Sequence, residues 1–124
     1  MAKILGLGGI FFKSRNPSAL KKWYVDNLGV PAGEDAGVSF PNREQPPDSY
    51  TVFGPFKQET TYFQPSKREF MINLVVDDVE GVLAKARHAG AEIVGEIENY
   101  EYGRFGWFVD PDGNKIELWQ PPET

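Results

Sequence analysis

The sequence predicts an α+β domain made of two tandem βαβββ halves. Two observations carry that prediction. A helix followed by three extended segments occurs twice, each time behind an apolar strand-like run, and the landmarks of the two passes come in the same order. The helix cap Asn16 corresponds to Asp78, the stop Leu28-Gly29 to Ala89-Gly90, and Tyr50-Thr51-Val52-Phe53-Gly54-Pro55 to Ile116-Glu117-Leu118-Trp119-Gln120-Pro121. One such match arises easily by chance, three in order less so. The competing description is an unrelated α+β domain whose strand order coincides.

Each element has its own signal. Residues 4–13 form an apolar run rich in glycine and β-formers, too short for a helix, and read as a mostly buried strand. Asn16 is a good N-cap and Pro17 suits the first helical position. Leu20, Trp23, Tyr24 and Leu28 then recur at helical spacing until Gly29 stops the helix. Residues 30–34, 37–41 and 49–56 are three candidate strands, separated by Gly33 and by the polar stretch holding Pro46-Pro47. Residues 57–69 show no clean period and read as a linker that packs down. Residues 70–76 are a strand by apolar and β-branched content. Asp78 caps a helix carrying Val79, Val82, Leu83 and Ala86, stopped at Gly90. Residues 91–99, 104–109 and 115–120 are strands, the last two joined through Asp110-Pro111-Asp112-Gly113, whose proline and glycine suit a tight turn. The expected organisation is one domain over 1–124, with a first module at 1–56, the linker at 57–69 and a second module at 70–124.

Composition narrows the function. The 124 residues and 40% hydrophobic content suffice for one sizeable core. The net charge of -5, with no Lys/Arg-rich stretch, makes nucleic acid a poor partner. No apolar run approaches the roughly 20 residues a membrane helix needs, and residues 1–10 lack a signal-peptide pattern, so a cytoplasmic protein is expected. With no cysteine, disulfides, thiolate metal sites and cysteine nucleophiles are excluded, and any chemistry uses oxygen and nitrogen groups.

Three motifs carry a family resemblance. Trp23-Tyr24 with Leu28-Gly29 resembles the first-helix signature of the vicinal oxygen chelate superfamily, which includes glyoxalase I, extradiol dioxygenases and bleomycin-resistance proteins. Val76-Asp77-Asp78-Val79 resembles its counterpart in the second half. Phe108-Val109-Asp110-Pro111-Asp112-Gly113-Asn114-Lys115-Ile116-Glu117-Leu118 is similar to the superfamily's closing hairpin. The match covers nearly the whole chain and is weakest over 42–69. The resemblance implies a glyoxalase-like fold, in which the halves form a curved eight-stranded mixed sheet around a cavity with the helices outside.

The resemblance also implies four metal-ligand positions, on the first and last strands of each half. They fall on Gly9, Thr51, Met71 and Glu117, of which only Glu117 is a strong ligand. Divalent ions need several hard oxygen or imidazole donors, so a full metal site is not expected, and Glu117 is the one ligand if a metal is bound. The single histidine, His88, lies in the last turn of the second helix, where it complements the helix dipole.

With those positions facing inward, strand alternation places Leu7, Gly9, Phe11, Thr51, Phe53, Met71, Asn73, Val75, Glu117 and Trp119 in the cavity. Ile10, Phe12, Ile72, Leu74, Val76, Ile116 and Leu118 then pack under the helices. Glu117 is the cavity's only carboxylate. Burial without a cation is expected to raise its pKa, suiting it to act as a base or as an anchor for a cationic group. The bland alternative is a salt bridge to Arg104 or Lys115. The run Tyr100, Tyr102, Arg104, Phe105, Trp107 is either the cavity mouth or ordinary sheet packing. Glu92, Glu96, Glu98 and Glu101 read as a solvated strand face with no role.

The resulting expectation is a glyoxalase/bleomycin-resistance-like protein that binds a small aromatic or cationic molecule without a cofactor. Glu117 is its anchor or base, with Phe11, Thr51, Phe53, Met71, Asn73, Arg104 and Trp119 as ligand-binding residues. Two alternatives stay open. One is a metal-dependent lyase, isomerase or dioxygenase with Glu117 as one ligand. The other is a metal-free enzyme with Glu117 as general base and Arg104 as oxyanion partner. A homodimer is expected, docked or with halves swapped through residues 57–69.

Overall fold

The computed structural model describes residues 2–33 and 37–123. Helix α1 spans Pro17–Leu28 and begins as its sequence signals require. The Asn16 side chain accepts the Ala19 N–H at 3.1 Å, Pro17 needs no intrahelical donor, and Gly29 ends the helix in the left-handed region at φ 71°. Helix α2, Val79–His88, repeats the device, with Asp78 accepting from the Gly81 N–H and Lys85, Arg87 and His88 in its last turn facing the negative end of the dipole. Both helices therefore stand where capping chemistry put them.

Four strands follow the sequence closely: β1 at Ile72–Val75, β2 at Glu92–Tyr100, β3 at Gly103–Val109 and β4 at Lys115–Gln120. They form one mixed sheet in the order β1-β4-β3-β2, with β1 parallel to β4 and the other pairs antiparallel. The parallel pair needs a crossover, which α2 and the β2–β3 hairpin supply. Between β3 and β4 the turn is held by Asp110, whose Oδ1 accepts the N–H groups of Asp112 and Asn114.

Alternation divides the sheet into two faces as expected for residues 70–124. Ile72, Phe108, Ile116 and Leu118 point one way and form the core with Val79 and Ala86 of α2. Trp23, Tyr24 and Leu28 bring α1 onto the same core, Trp23 lying over Phe108 with ring centroids 6.0 Å apart. Helix α1 is also tied to the closing hairpin, because the Tyr24 hydroxyl donates to Asp110 Oδ2 at 2.7 Å. Loss of water around that hydroxyl, and then the Asp110 charge, raise its pKa far above the usual range, so it stays a donor.

The first half departs from expectation. Among the described residues the sheet has four strands, all from the second module, and not eight. The segments 4–13, 30–33, 37–41 and 49–56 carry no ladder bonds, a 3₁₀ turn occupies Asn42–Glu44, and Glu34 lies outside the described residues. Their apolar side chains stand in the open: Ile4 is 94%, Phe11 99% and Phe53 84% exposed. The physical reason lies in what the sequence pattern measures. β-branched and aromatic content reports fitness for a half-buried pleated surface, without saying which edge supplies the hydrogen bonds. The linker 57–69 does pack down, through Ser66 Oγ to the Gly113 carbonyl at 2.6 Å and Arg68 Nη2 to the Asp112 carbonyl at 3.2 Å.

Candidate functional site

The sheet face turned away from the helices carries the polar chemistry. Its register sets Asn73 of β1 and Trp107 of β3 on either side of Glu117 in β4, with Val75, Trp119 and Phe105 one step along the same face. Glu117 Oε1 accepts the Asn73 amide at 2.8 Å, and Oε2 accepts the Trp107 indole N–H at 2.9 Å. A third donor comes from the linker, the Tyr62 hydroxyl reaching Oε2 at 2.6 Å. Loss of water around the Tyr62 hydroxyl, then its bond to Glu117, raise its pKa, so it keeps its proton and remains a donor.

Lys115 holds the Tyr62 segment down. Its ammonium donates to the Tyr62 carbonyl at 2.5 Å and lies 4.9 Å from the Tyr62 ring centroid and 5.9 Å from that of Trp107. The residue is only 7% exposed, and this burial lowers its pKa against the opposing pull of Glu117. Phe56 stacks on Tyr62 at 5.7 Å, and Trp107 meets Tyr62 edge-on at 6.3 Å. A depression of about 350 Å³ beyond this stack is lined by Phe56, Lys57, Glu59 and Thr60 and does not include Glu117. We place the site at Glu117 because hydrogen-bond donors converge there, whereas the depression is open surface.

The sequence-predicted residues divide cleanly. Glu117, Asn73 and Trp119 share the face, Trp119 donating its indole N–H to the Tyr102 carbonyl at 2.8 Å and packing on Tyr50. Met71, half-buried, precedes β1 on the same side by alternation. Phe11, Thr51 and Phe53 are exposed and are not brought to Glu117. Arg104 is on the helix side of the sheet, bound to Glu80 of α2 at 2.5 Å and to Asn99 at 2.8 Å, so its expected partnership with Glu117 does not form. The two ion pairs among the described residues are Lys22–Asp26 and Arg104–Glu80, and neither involves Glu117. The expected cavity between two sheets is not enclosed, because the first module contributes no strand.

Four residues of this face lie outside the binding set expected from the sequence. Trp107 was recoverable, because a turn that sets Val109 opposite Lys115 also sets Trp107 opposite Glu117. The β2–β3 turn, which sets Tyr100 opposite Gly103, also sets Glu98 of β2 opposite Phe105, on the Glu117 face. Lys115 was weighed only as a salt-bridge partner. Tyr62 sits in an aperiodic stretch and gave no signal.

A divalent metal at Glu117 does not fit these residues. The two Glu117 oxygens already accept three hydrogen bonds, which leaves about one lone-pair site, too few donors for a divalent ion that needs several. Gly9 offers no side-chain donor, and Thr51 stands exposed. Among the described residues no three His, Cys, Asp or Glu side chains converge.

Comparison with known proteins places the chain in a family. Residues 9–119 match the sequence profile of the glyoxalase-like domain. A solved protein of unknown function from Agrobacterium tumefaciens str. C58 is 23% identical over 94% of this chain and 98% of its own, with a TM-score of 0.57. A member of the glyoxalase/bleomycin resistance protein/dioxygenase superfamily from Sphaerobacter thermophilus DSM 20745 is 21% identical over 97% of this chain and 98% of its own, with a TM-score of 0.50. These two likenesses concern the fold. TnmS3, an antibiotic binding protein from Streptomyces sp. CB03234, is 39% identical over 41% of this chain, with a TM-score of 0.37. The chain spans 41% of the length of TnmS3 and 40–50% of three further solved relatives. No curated protein matches. No helix among the described residues is long and apolar enough to cross a membrane. By a profile match across most of its length, the chain belongs to the glyoxalase-like domain family.

Proposed function

We propose that the chain binds a flat, cationic small molecule on the open sheet face, with Glu117 as its anchor and no metal. One observation carries the reading. A carboxylate stands among Trp107, Tyr62 and Trp119 with three neutral donors and no ion-pair partner among the described residues. Carboxylates have about four lone-pair sites, so one remains for a ligand N–H. Trp107 and Trp119 are buried, and the exposed rings of Tyr62 and Phe56, stacked on each other beside the carboxylate, give a flat ligand area to cover. A charge-assisted hydrogen bond of about 1.5–3 kcal/mol corresponds to roughly ten- to hundredfold in affinity.

The test uses 4-(aminomethyl)biphenyl, a flat monocation, in isothermal titration calorimetry. Glu117→Gln keeps the shape and hydrogen-bonding reach while removing the charge, and is expected to weaken binding by that factor. Equal affinity in both proteins would remove Glu117 from the role. Zn²⁺, Ni²⁺, Mn²⁺, Fe²⁺ and Mg²⁺ at micromolar concentration are expected to leave the Tm of chelator-treated protein unchanged. A saturable rise would mean native-state metal binding and would favour a metal-dependent enzyme.

The reading includes a homodimer. The exposed apolar segments of the first half, Ile4, Phe11, Val52 and Phe53 among them, offer more open hydrophobic surface than a monomer usually leaves. Pairing of these segments with a second copy would give the first module its strands and enclose the Glu117 face. Sedimentation equilibrium is expected to return the mass of two chains at micromolar concentration; a single-chain mass would refute this part.

A further inference from the structure

Glu117 does not offer its two oxygens equally. Oε2 accepts both the Trp107 indole N–H at 2.9 Å and the Tyr62 hydroxyl at 2.6 Å, whereas Oε1 accepts the Asn73 amide alone, at 2.8 Å. With about two lone-pair sites on each oxygen, Oε2 is full and the remaining site belongs to Oε1. The surroundings divide in the same sense. Oε1 is turned toward β1, the edge strand, and its exposed Asn73, while Oε2 is turned toward β3 and the buried Trp107.

Tyr62 supplies the second bond to Oε2 and is held in place from several directions. The Lys115 ammonium donates to its carbonyl at 2.5 Å, Trp107 meets its ring edge-on at 6.3 Å, and Phe56 stacks on it at 5.7 Å. A few residues on, Ser66 and Arg68 bind the Gly113 and Asp112 carbonyls, which ties the linker to the β3–β4 turn. The hydroxyl is therefore delivered to Glu117 by a segment fastened to the strand that carries Glu117.

Planar cations such as amidinium and guanidinium bind carboxylates well because they give two parallel N–H bonds, one to each oxygen. That pairing needs an open site on Oε2. A primary ammonium carries its donors on one nitrogen and needs a single carboxylate site, which Oε1 provides. We infer that Tyr62 is a specificity-determining residue: it closes Oε2, so that Glu117 anchors ammonium groups through Oε1 and denies amidinium and guanidinium groups their two-bond pairing. The inference rests on the proposed binding role of Glu117 and narrows its ligand class.

The experiment compares biphenyl-4-carboxamidine with 4-(aminomethyl)biphenyl, both monocations at neutral pH, by calorimetry on the full chain. The unsubstituted protein is expected to bind the amidine no more tightly than the amine. Tyr62→Leu keeps an apolar side chain beside Lys115 but is too short to reach Oε2. It is expected to shift the ratio of the two affinities about tenfold toward the amidine, the scale of one added charge-assisted hydrogen bond. Loss of the Tyr62 ring, or of stability in general, acts on both probes alike, so a merely structural role for Tyr62 leaves the ratio where it was. An amidine preferred by the unsubstituted protein would overturn the inference without any variant. An unchanged ratio in Tyr62→Leu would overturn it too, in each case with amine binding still weakened by Glu117→Gln. Absence of binding by both probes, or binding indifferent to Glu117→Gln, would overturn the Glu117 reading and the inference with it.

Discussion

Phe108→Ala is expected to lower the free energy of unfolding by about 4 kcal/mol, the usual scale for removing a buried phenyl ring. Phe108 is fully buried and is where the sheet, α2 and α1 meet. Ile116 lies beside it in the ladder, Val79 and Ala86 come from α2, and Trp23 covers it from α1. Truncation removes the transfer free energy of the ring and leaves a cavity bordered by three elements that are each anchored elsewhere, so collapse to refill it is limited. Urea unfolding followed by far-UV circular dichroism is expected to show a lower midpoint with an unchanged slope. A loss below about 1 kcal/mol would mean that the helices do not pack on this sheet face as described.

Asp110→Ala is expected to cost roughly 3 kcal/mol, because several buried donors lose their acceptor together. Asp110 Oδ1 accepts the Asp112 and Asn114 N–H groups, each at 2.9 Å, and Oδ2 accepts the Tyr24 hydroxyl at 2.7 Å and the Asn114 amide at 3.0 Å. The side chain therefore shapes the β3–β4 turn and joins that turn to α1. Tyr24→Phe removes one of these bonds and is expected to cost about 1 kcal/mol alone. In the double variant the two losses are expected to be less than additive, since Tyr24 has no Asp110 left to lose. Full additivity in urea melts would deny the Tyr24–Asp110 contact.

The second module was legible because its signals are local. Asp78, the helical spacing of Val79, Val82, Leu83 and Ala86, Gly90 and the Asp110–Asn114 turn each act within a few residues. Register follows from the turn, and the faces follow from register, which is why Ile72, Ile116 and Leu118 are found in the core while Asn73, Glu117 and Trp119 lie opposite. Arg104 is a candidate partner of Glu117 in the sequence, although the same register puts it on the helix side. Glu98 is exposed, as a solvated strand face requires, and lies on the Glu117 side of the sheet.

The first half was legible only as far as its own helix. Asn16, Pro17 and Gly29 specify α1 locally, whereas residues 4–13 and 49–56 require a partner edge that no short-range signal names. Tyr62 was out of reach for a different reason. Its value comes from a single hydroxyl placed by an irregular segment, held by Lys115 and by Ser66 on Gly113, and such placement leaves no periodic trace.

The central claim is that a cationic aromatic ligand binds at Glu117, and the chain's three tryptophans allow a direct test. Their indole N–H groups donate to different acceptors: Trp107 to Glu117, Trp119 to the Tyr102 carbonyl and Trp23 to the Ala89 carbonyl on the helix side. In a ¹⁵N-resolved titration with 4-(aminomethyl)biphenyl, the Trp107 indole resonance is expected to move most and to saturate, Trp119 to follow and Trp23 to stay in place. A Trp107 resonance that does not move, or one that moves no more than Trp23, would contradict binding at Glu117.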